Sequence, residues 1–480
     1  MDARRLSLLG LAAVSGLLLF LADHPVHAWY VQAAALIPLF VGLAREARSS
    51  VDALLAGLVT GLVNLVPLAV VLEFPLLMAA GLGLYLALIW VLLALGCFWT
   101  LRRGPAPVGA LAAGAVAVLL EWLDFHALPV WGTAQSFVRV WSAAPWAIQM
   151  VELGGMLLLV FVLVAGQALV ARIIVARRGR GTHALTLGLL LAAVALHAAL
   201  VWPRSVDGTL RVAAVGWTAR DLPAGLDSPP SAVLEKLYRP LALQALGRGA
   251  RLVVSPEVGF RLGAGERRAI LVELARIARD HEAMLAVGYF DRARNDNRIA
   301  FIDGAGRLAG EYVKTHLIPT VERYRAGSGA LVKLEGPRFA PARGRPPGRA
   351  VIGGMICQDD NFTDLARGYG RLGVQVMAVP TNDWKQVKDY HLENSIFRAV
   401  ESRYGVVRAA SSGISAIVAP SGRLLARADH FHDGPRAIVA DLPLRSSRTT
   451  LYARWGDWPA LACLLGLALA FPLLRRRPRQ

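Results

Sequence analysis

Apolar residues along this chain fall into long unbroken stretches towards its two ends and into short runs through its middle. Seven long stretches come first, over 6–22, 28–43, 51–72, 75–101, 107–123, 146–171 and 183–202, and an eighth over 458–474 follows the middle. Each is close to the roughly 17–25 residues that cross a hydrocarbon core of about 30 Å, so the pattern predicts eight transmembrane helices. The first stretch also fits a signal peptide loosely, with Arg4 and Arg5 ahead of it and Val26-His27-Ala28 behind, but its apolar run is long for one and the reading is of a retained helix.

From Arg211 the period changes. Strands are expected at RVAAVGW, LVVSPE, MLAVGYF, RIAFID, EYVK, AVIGGMIC, VQVMAVP, GVVRAA, ISAIVAP and AIVADL, with amphipathic helices near 231–246, 266–281, 363–372 and 391–404. Alternating strands and helices over about 240 residues suffice for a self-contained α/β core. The predicted division is a helical membrane domain over 1–205, an α/β domain over 209–446 and the eighth helix over 456–474.

Composition supports that division. The 480 residues are 55% hydrophobic, and the formal charge is +18; the mean hydropathy is +0.47. The basic residues gather beside the apolar stretches: Arg4 and Arg5, the arginines within 45–48, Arg102 and Arg103, and the arginines within 172–180 all fall on one side when the loops are taken alternately. By the positive-inside rule that side is cytoplasmic, which puts the α/β domain outside, with Arg475 to Arg477 returning the chain inward. No zinc-finger, RNP-like or basic-helix pattern accompanies the charge, so the expected partner is an anionic lipid surface and not nucleic acid. The loop HALPVWGTAQSFVRVWSAAPW carries Trp131, Trp141 and Trp146, an aromatic belt at headgroup level or an arm for lipid. Glu121, Glu152 and Asn64 lie in or at the ends of apolar stretches, where helix-to-helix hydrogen bonding and function are both open.

Of three cysteines, Cys97 and Cys463 are inside apolar stretches, which leaves Cys357 without an evident disulfide partner. It stands where the run AVIGGMIC stops, ahead of QDDN and a helical pattern from Thr363; such a strand-to-turn junction pushes one side chain out of a sheet. Glu257 ends LVVSPE and Lys314 ends EYVK in the same way. A free thiol titrates at about 8.5 and is mostly protonated at neutral pH, so it needs a base or a cation beside it. Glu257 is the candidate base, Lys314 the candidate cation, and Lys314 with the backbone N–H of Gln358 the candidate receiver of an oxyanion.

The order Glu257, Lys314, Cys357, within SPE, YVKTHLIPTVE and ICQDDNF, resembles the carbon–nitrogen hydrolase (nitrilase) superfamily, and with eight spans around it the chain resembles the bacterial apolipoprotein N-acyltransferase family over nearly its full length. The resemblance implies a four-layer αββα sandwich outside the inner membrane, and transfer of an acyl chain from phospholipid, through a thioester on Cys357, to the N-terminal amine of a diacylglyceryl-cysteine apolipoprotein. It implies Glu257 as base, Lys314 as oxyanion lysine and Glu322 as support for that lysine, with Tyr312 and His316 in the same motif. Gln358 and Asp359 stand where the family usually has tyrosine and glutamate, and Asp359 is taken as supporting. Asn382 and Asp383, Arg398 and Glu401, and Arg408 keep family positions. Trp384, Tyr390 and Asn382 are candidates for lining the substrate entrance; packing aromatics, and for Asp360 and Asn361 a helix cap, are the alternatives. No metal-ligand cluster, phosphate-cradling loop or dinucleotide fingerprint is present in the sequence, so no cofactor and no metal are expected; the expected state is a monomer. A membrane-tethered amidase or nitrilase, and a silent lipid-binding scaffold, remain as alternative readings.

Overall fold

In a computed structural model the described residues are 2–475, apart from 24–25, 72–75, 104–106, 128–130, 177–178, 202–205, 227, 320 and 446–448. They form two compact units, one of residues 1–127, 136–201 and 457–480, the other of 128–135 and 202–456.

The first unit is helical. Its helices are α1 (Ala3–Ala22), α2 (Ile37–Arg45), α3 (Ser50–Val71), α4 (Leu76–Leu101), α5 (Val108–Ala127), α6 (Val151–Val175) and α7 (Arg180–Val201), with Trp458–Arg475 at the end of the chain. Among the described residues six helices are long and apolar enough to cross a membrane, and 29–45 and 50–65 form shorter apolar helices. The second expected span differs from a single helix: it divides into a 3-10 turn, Trp29–Ala33, and α2, whose second residue is Pro38. Proline lacks the N–H that a helix interior needs and suits a helix start. In α6 Gly154 and Gly155 leave helical geometry, and a Cβ on Gly154 would meet Pro459 Cγ at 2.7 Å.

The second unit is α/β. Its strands are β1 (Gly208–Gly216), β2 (Pro223–Leu226), β3 (Leu252–Val254), β4 (Phe260–Leu262), β5 (Met284–Asp291), β6 (Asp296–Ile302), β7 (Leu308–Val313), β8 (Leu334–Pro341), β9 (Gly348–Gly354), β10 (Val376–Asn382), β11 (Gly405–Ser411), β12 (Ile414–Val418), β13 (Leu424–Asp429) and β14 (Arg436–Leu444). Between them come α8 (Pro230–Val233), α9 (Arg239–Gly247), α10 (Ala264–Asp280), α11 (Thr363–Arg371), α12 (Lys388–Ser402), α13 (His430–Asp433) and α14 (Leu451–Trp455), after which the chain re-enters the first unit as α15 (Trp458–Arg475). The strand order is β13-β12-β11-β10-β9-β8-β1-β3-β5-β6-β7, with β14 on β1 and β4 on β5. The pairs β1–β3, β3–β5, β9–β10 and β10–β11 are parallel.

Alternation along the strands sorts side chains into two cores. Val253 and Leu285 join Leu237, Leu274 and Ile277 of the helical segments in one cluster. Their neighbours Leu252, Val254, Met284 and Ala286 join Ile352, Val376 and Val407 in the other. Strand side chains alternate faces with period two, so one short apolar run serves both clusters. Two expectations shift in detail. The helix expected over 231–246 contains a π turn, Leu234–Tyr238, ahead of α9, where Pro240 has no N–H to return to the preceding turn. Strand β8 escapes the sequence pattern because Gly336 and Pro337 dilute its alternation, and its register with β9 slips between Glu335 and Arg338.

Candidate active site

Three strand ends deliver the three candidate residues to one place. Strand β3 runs out into Glu257, β7 into Lys314 and β9 into the 3-10 turn Cys357–Asn361. Glu257 is 3% exposed, Lys314 0% and Cys357 2%. Lys314 Nζ donates to Glu257 Oε1 at 2.8 Å and to Glu322 Oε1 at 2.6 Å. The Glu257 carboxylate is also electrostatically coupled to the Cys357 thiol, which lies 3.7 Å from the carbonyl oxygen of Asn382 at the end of β10.

The backbone at the two turns is in an uncommon region. Cys357 has φ 46 and Val258, just after Glu257, φ 49. Left-handed backbone at a β-branched residue costs on the order of 1–3 kcal/mol and persists only where its surroundings over-determine it. They do so here. Glu257 N donates to the Thr381 carbonyl, and Ser411 Oγ to the Glu257 carbonyl, each at 3.4 Å. A Cβ on Gly288 of β5 would sit 2.1 Å from the Pro256 carbonyl oxygen, so only glycine lets that strand approach the turn.

Asp359 binds the Cys357 turn to the lysine loop. Fully buried, it accepts from Tyr312 Oη at 2.8 Å, His316 N at 2.7 Å, Thr315 N at 3.2 Å and Ile356 N at 3.1 Å. His316 Nδ1 lies 3.2 Å from Asp359 Oδ1, and the His316 ring stacks on Phe362 with centroids 3.9 Å apart. Gln358 is buried and accepts from Asn361 Nδ2 at 3.0 Å. Glu322 Oε2 accepts from Ile318 N at 2.7 Å, which anchors the loop that carries it. Of the candidates for an entrance, Trp384 is 39% exposed and the Asn382 side chain is exposed, whereas Tyr390 is 5% exposed within α12.

Electrostatics follow from burial. Burial pushes the Glu257 carboxyl above the usual carboxylate range against the pull of Lys314, and Glu322 adds to the rise. Burial would lower Lys314, but Glu257, the Cys357 thiol and Glu322 outweigh it and hold the ammonium charged well above its ordinary range. Burial raises the Cys357 thiol, and Glu257 raises it further than Lys314 lowers it. The resting thiol beside Glu257 is therefore neutral, in contrast to a preformed thiolate.

Behind Cys357 lies a buried polar network. Arg408 donates to Asp383 Oδ2 at 2.8 Å, and its other terminal nitrogen reaches Ser395 Oγ at 3.2 Å and Asp360 at 3.8 Å. His391 Nδ1 is 2.7 Å from Asp383 Oδ1, and its Nε2 is 3.2 Å from Asn361 Nδ2. Against burial, Arg408 and His391 hold Asp383 below the usual carboxylate range; burial raises Asp360 more than Arg408 lowers it. Among the described residues one group suits a metal ion by distance, Cys357, Asp383 and His391, with ligand atoms within 4.8 Å of one another. Both histidine nitrogens and both Asp383 oxygens already have hydrogen-bond partners, so the set fits an orienting network better than a metal centre.

The sequence did not point to Asn297 or Tyr324. Asn297 in β6 is wholly buried; its Nδ2 donates to Glu257 Oε1 at 2.8 Å and to Tyr324 Oη at 3.2 Å. Tyr324 in turn donates to Glu322 Oε1 at 2.8 Å. A polar residue at an inward strand position is the available signal, and Asn297 sits one residue ahead of the apolar run that marks β6.

Known proteins resemble the chain along its length. Residues 209–452 match the family model described as carbon–nitrogen hydrolase. An apolipoprotein N-acyltransferase from Gloeobacter violaceus is 30% identical over 374 residues, 73% of this chain and 69% of the relative. One from Azotobacter vinelandii is 28% identical, and the match covers 97% of this chain and 95% of that protein. Among solved structures, an amidase from Nesterenkonia sp. is 22% identical with a TM-score of 0.41, covering 52% of this chain and 97% of that one. The chain belongs to the carbon–nitrogen hydrolase family and, within it, to the apolipoprotein N-acyltransferases.

Proposed function

We infer that the protein is a membrane N-acyltransferase that moves a fatty acyl chain from a phospholipid, through a thioester on Cys357, to the N-terminal amine of a diacylated apolipoprotein. The relatives carry that activity in their name, and one geometric observation carries the chemistry: three strand ends bury Glu257, Lys314 and Cys357 together, with the Lys314 ammonium 2.8 Å from the Glu257 carboxylate.

In this reading Glu257 takes the thiol proton as Cys357 Sγ attacks the ester carbonyl. Lys314 and the Gln358 N–H receive the oxyanion, and donors of this kind are each worth about 3–4 kcal/mol. Collapse breaks the ester C–O bond, and Glu257 returns the proton to the departing lysophospholipid oxygen. The α-amine then attacks the thioester, its proton passes to Glu257, and the thiolate leaves and is reprotonated, which restores the starting state. Glu322 and Asp359 support the lysine loop and the turn; Trp384, Asn382 and Tyr390 belong to the substrate side.

The reading includes eight spans, an αββα sandwich, and a division into 1–205, 209–446 and 456–474. Arginine placement supports an extracytoplasmic catalytic domain. It is a monomer that binds lipid and lipoprotein and no nucleic acid. The test is incubation with acyl-labelled phospholipid followed by a diacylated lipopeptide. Wild type is expected to acquire hydroxylamine-sensitive label that passes to the peptide amine, and Cys357→Ala to acquire none. Label that is released only as free fatty acid in the presence of the peptide would refute amine transfer.

A further inference from the structure

The turn that carries Cys357 is gripped by a segment more than two hundred residues away in sequence. Residues 131–135 belong to the α/β unit although they lie in sequence between the apolar helices α5 and α6. Within that segment Gly132 adopts φ 53, and a Cβ there would lie 2.4 Å from the Asn361 carbonyl oxygen. Contact that close between two backbones admits no side chain, and the left-handed φ independently favours glycine. Thr133, 1% exposed, donates from Oγ1 to the same carbonyl at 3.0 Å, with Asn394 Oδ1 3.3 Å away.

Asn361 closes the five-residue turn that Cys357 opens. Its own side chain is fully engaged. Oδ1 accepts from Asn394 Nδ2 at 2.8 Å, and Nδ2 donates to Gln358 Oε1 at 3.0 Å. The left-handed backbone at Cys357 therefore has a hold at each end: Asp359 on Ile356 N before it, and the Gly132-Thr133 pair on the Asn361 carbonyl after it. An uncommon backbone conformation survives only under such constraint, and a nucleophile displaced by about 1 Å loses on the order of a hundredfold in rate.

We propose that Gly132 and Thr133 are positioning residues, a clamp supplied from between two apolar helices that holds the Cys357 turn in its reactive shape. This rests on the reading of Cys357 as nucleophile. The clamp sets the rate of the attacking step and leaves donor binding alone, because its contacts are with the turn's backbone and Asn394 and not with the strand ends that carry Glu257 and Lys314.

The experiment uses the full-length protein in phospholipid nanodiscs with acyl-labelled phosphatidylethanolamine, reading the rate of hydroxylamine-sensitive labelling against donor concentration. Gly132→Ala is expected to lower the maximal rate at least about tenfold and Thr133→Ala about fivefold, with the half-saturating donor concentration within about twofold of wild type. Thr133→Ser, which keeps the donor, is expected to restore the rate to within about twofold. If Gly132→Ala fails to fold, the threonine pair decides. Wild-type rates in Gly132→Ala and Thr133→Ala overturn the clamp, as does a change confined to half-saturation or a failure of serine to rescue. A wild type that takes no label overturns the nucleophile reading and the clamp with it; a labelled wild type with unaffected variants overturns the clamp alone.

Discussion

Tyr324 donates its phenol proton to Glu322 Oε1 at 2.8 Å, the same oxygen that accepts from Lys314 Nζ at 2.6 Å. Through Asn297 the phenol also connects to Glu257, so Lys314, Glu257, Asn297, Tyr324 and Glu322 close a ring of hydrogen bonds. The ring edge of Phe290 braces the phenol, with centroids 5.5 Å apart. A buried lysine shared by two carboxylates is sensitive to where each carboxylate sits, and Tyr324 holds one of them.

Tyr324→Phe keeps the contact with Phe290 and removes the hydroxyl. A hydrogen bond to a charged group is worth about 1.5–3 kcal/mol, part of which water recovers because Tyr324 is half-buried. The expected result is a fall of about tenfold in the rate of thioester formation, roughly 1.4 kcal/mol in barrier height. Single-turnover labelling of Cys357 measures it, and a rate equal to wild type would make the phenol a bystander.

If Glu257 is the base, as proposed, it must be ionised to accept the thiol proton, and the acid limb of the pH–rate profile reports it. Burial raises this carboxyl and the nearby charge of Glu322 raises it further, so the limb is expected above the usual carboxylate range. Neutralising Glu322 removes a contribution that favours the protonated form. Glu322→Gln is therefore expected to move the limb to lower pH while lowering the plateau, since Lys314 loses a partner. A limb displaced upward would contradict the assignment of the base. Lys314 is held charged well above its ordinary range, so no loss of rate through its deprotonation is expected below about pH 10.

How far the sequence alone leads to this site depends on the kind of signal each residue leaves. Glu257, Lys314 and Cys357 are legible because each interrupts an apolar run at its end, and strand ends are where a sheet presents its side chains. Asn297 is hidden because the run that marks β6 begins with Arg298, whereas the strand itself begins at Asp296. Tyr324, Gly132 and Thr133 leave no signal in the hydrophobic pattern. Their significance is a hydrogen bond or a close approach to residues 27, 2, 228 or more positions away, and no periodicity encodes such partners. The break of the second apolar stretch into a 3-10 turn and a short helix was legible in Pro38, which hydropathy averages over.

The carboxylate of Asp359 is tied down by backbone N–H groups of Ile356, Thr315 and His316 and by the Tyr312 hydroxyl. Asparagine has almost the same shape but turns one acceptor into a donor, so it faces buried N–H groups that then have no partner. Each buried donor left unsatisfied costs about 1–3 kcal/mol. Asp359→Asn is expected to destabilise the α/β unit by about 2–4 kcal/mol and to slow labelling of Cys357. Denaturation of the detergent-solubilised protein measures the first effect; unchanged stability would mean that the turn and the lysine loop are held by something else.

Arg408 answers a different question, whether the network behind the thiol is held by charge or by shape. It is wholly buried, donates to Asp383 at 2.8 Å and is 3.8 Å from Asp360. Methionine fills a similar volume with no charge, which would strand Asp383 as an anion in a site where burial already disfavours one. Removing one partner from a buried pair costs about 3–5 kcal/mol. Lysine keeps the charge but lacks the fork that reaches Asp383 and Ser395 at once. Arg408→Met is thus expected to accumulate poorly, and Arg408→Lys to fold with intermediate stability. If the double variant Arg408→Met with Asp383→Asn recovers stability, the cost in Arg408→Met lies in the stranded charge; if it remains as unstable, the guanidinium is needed for its shape, and the charge pairing with Asp383 is incidental to the fold.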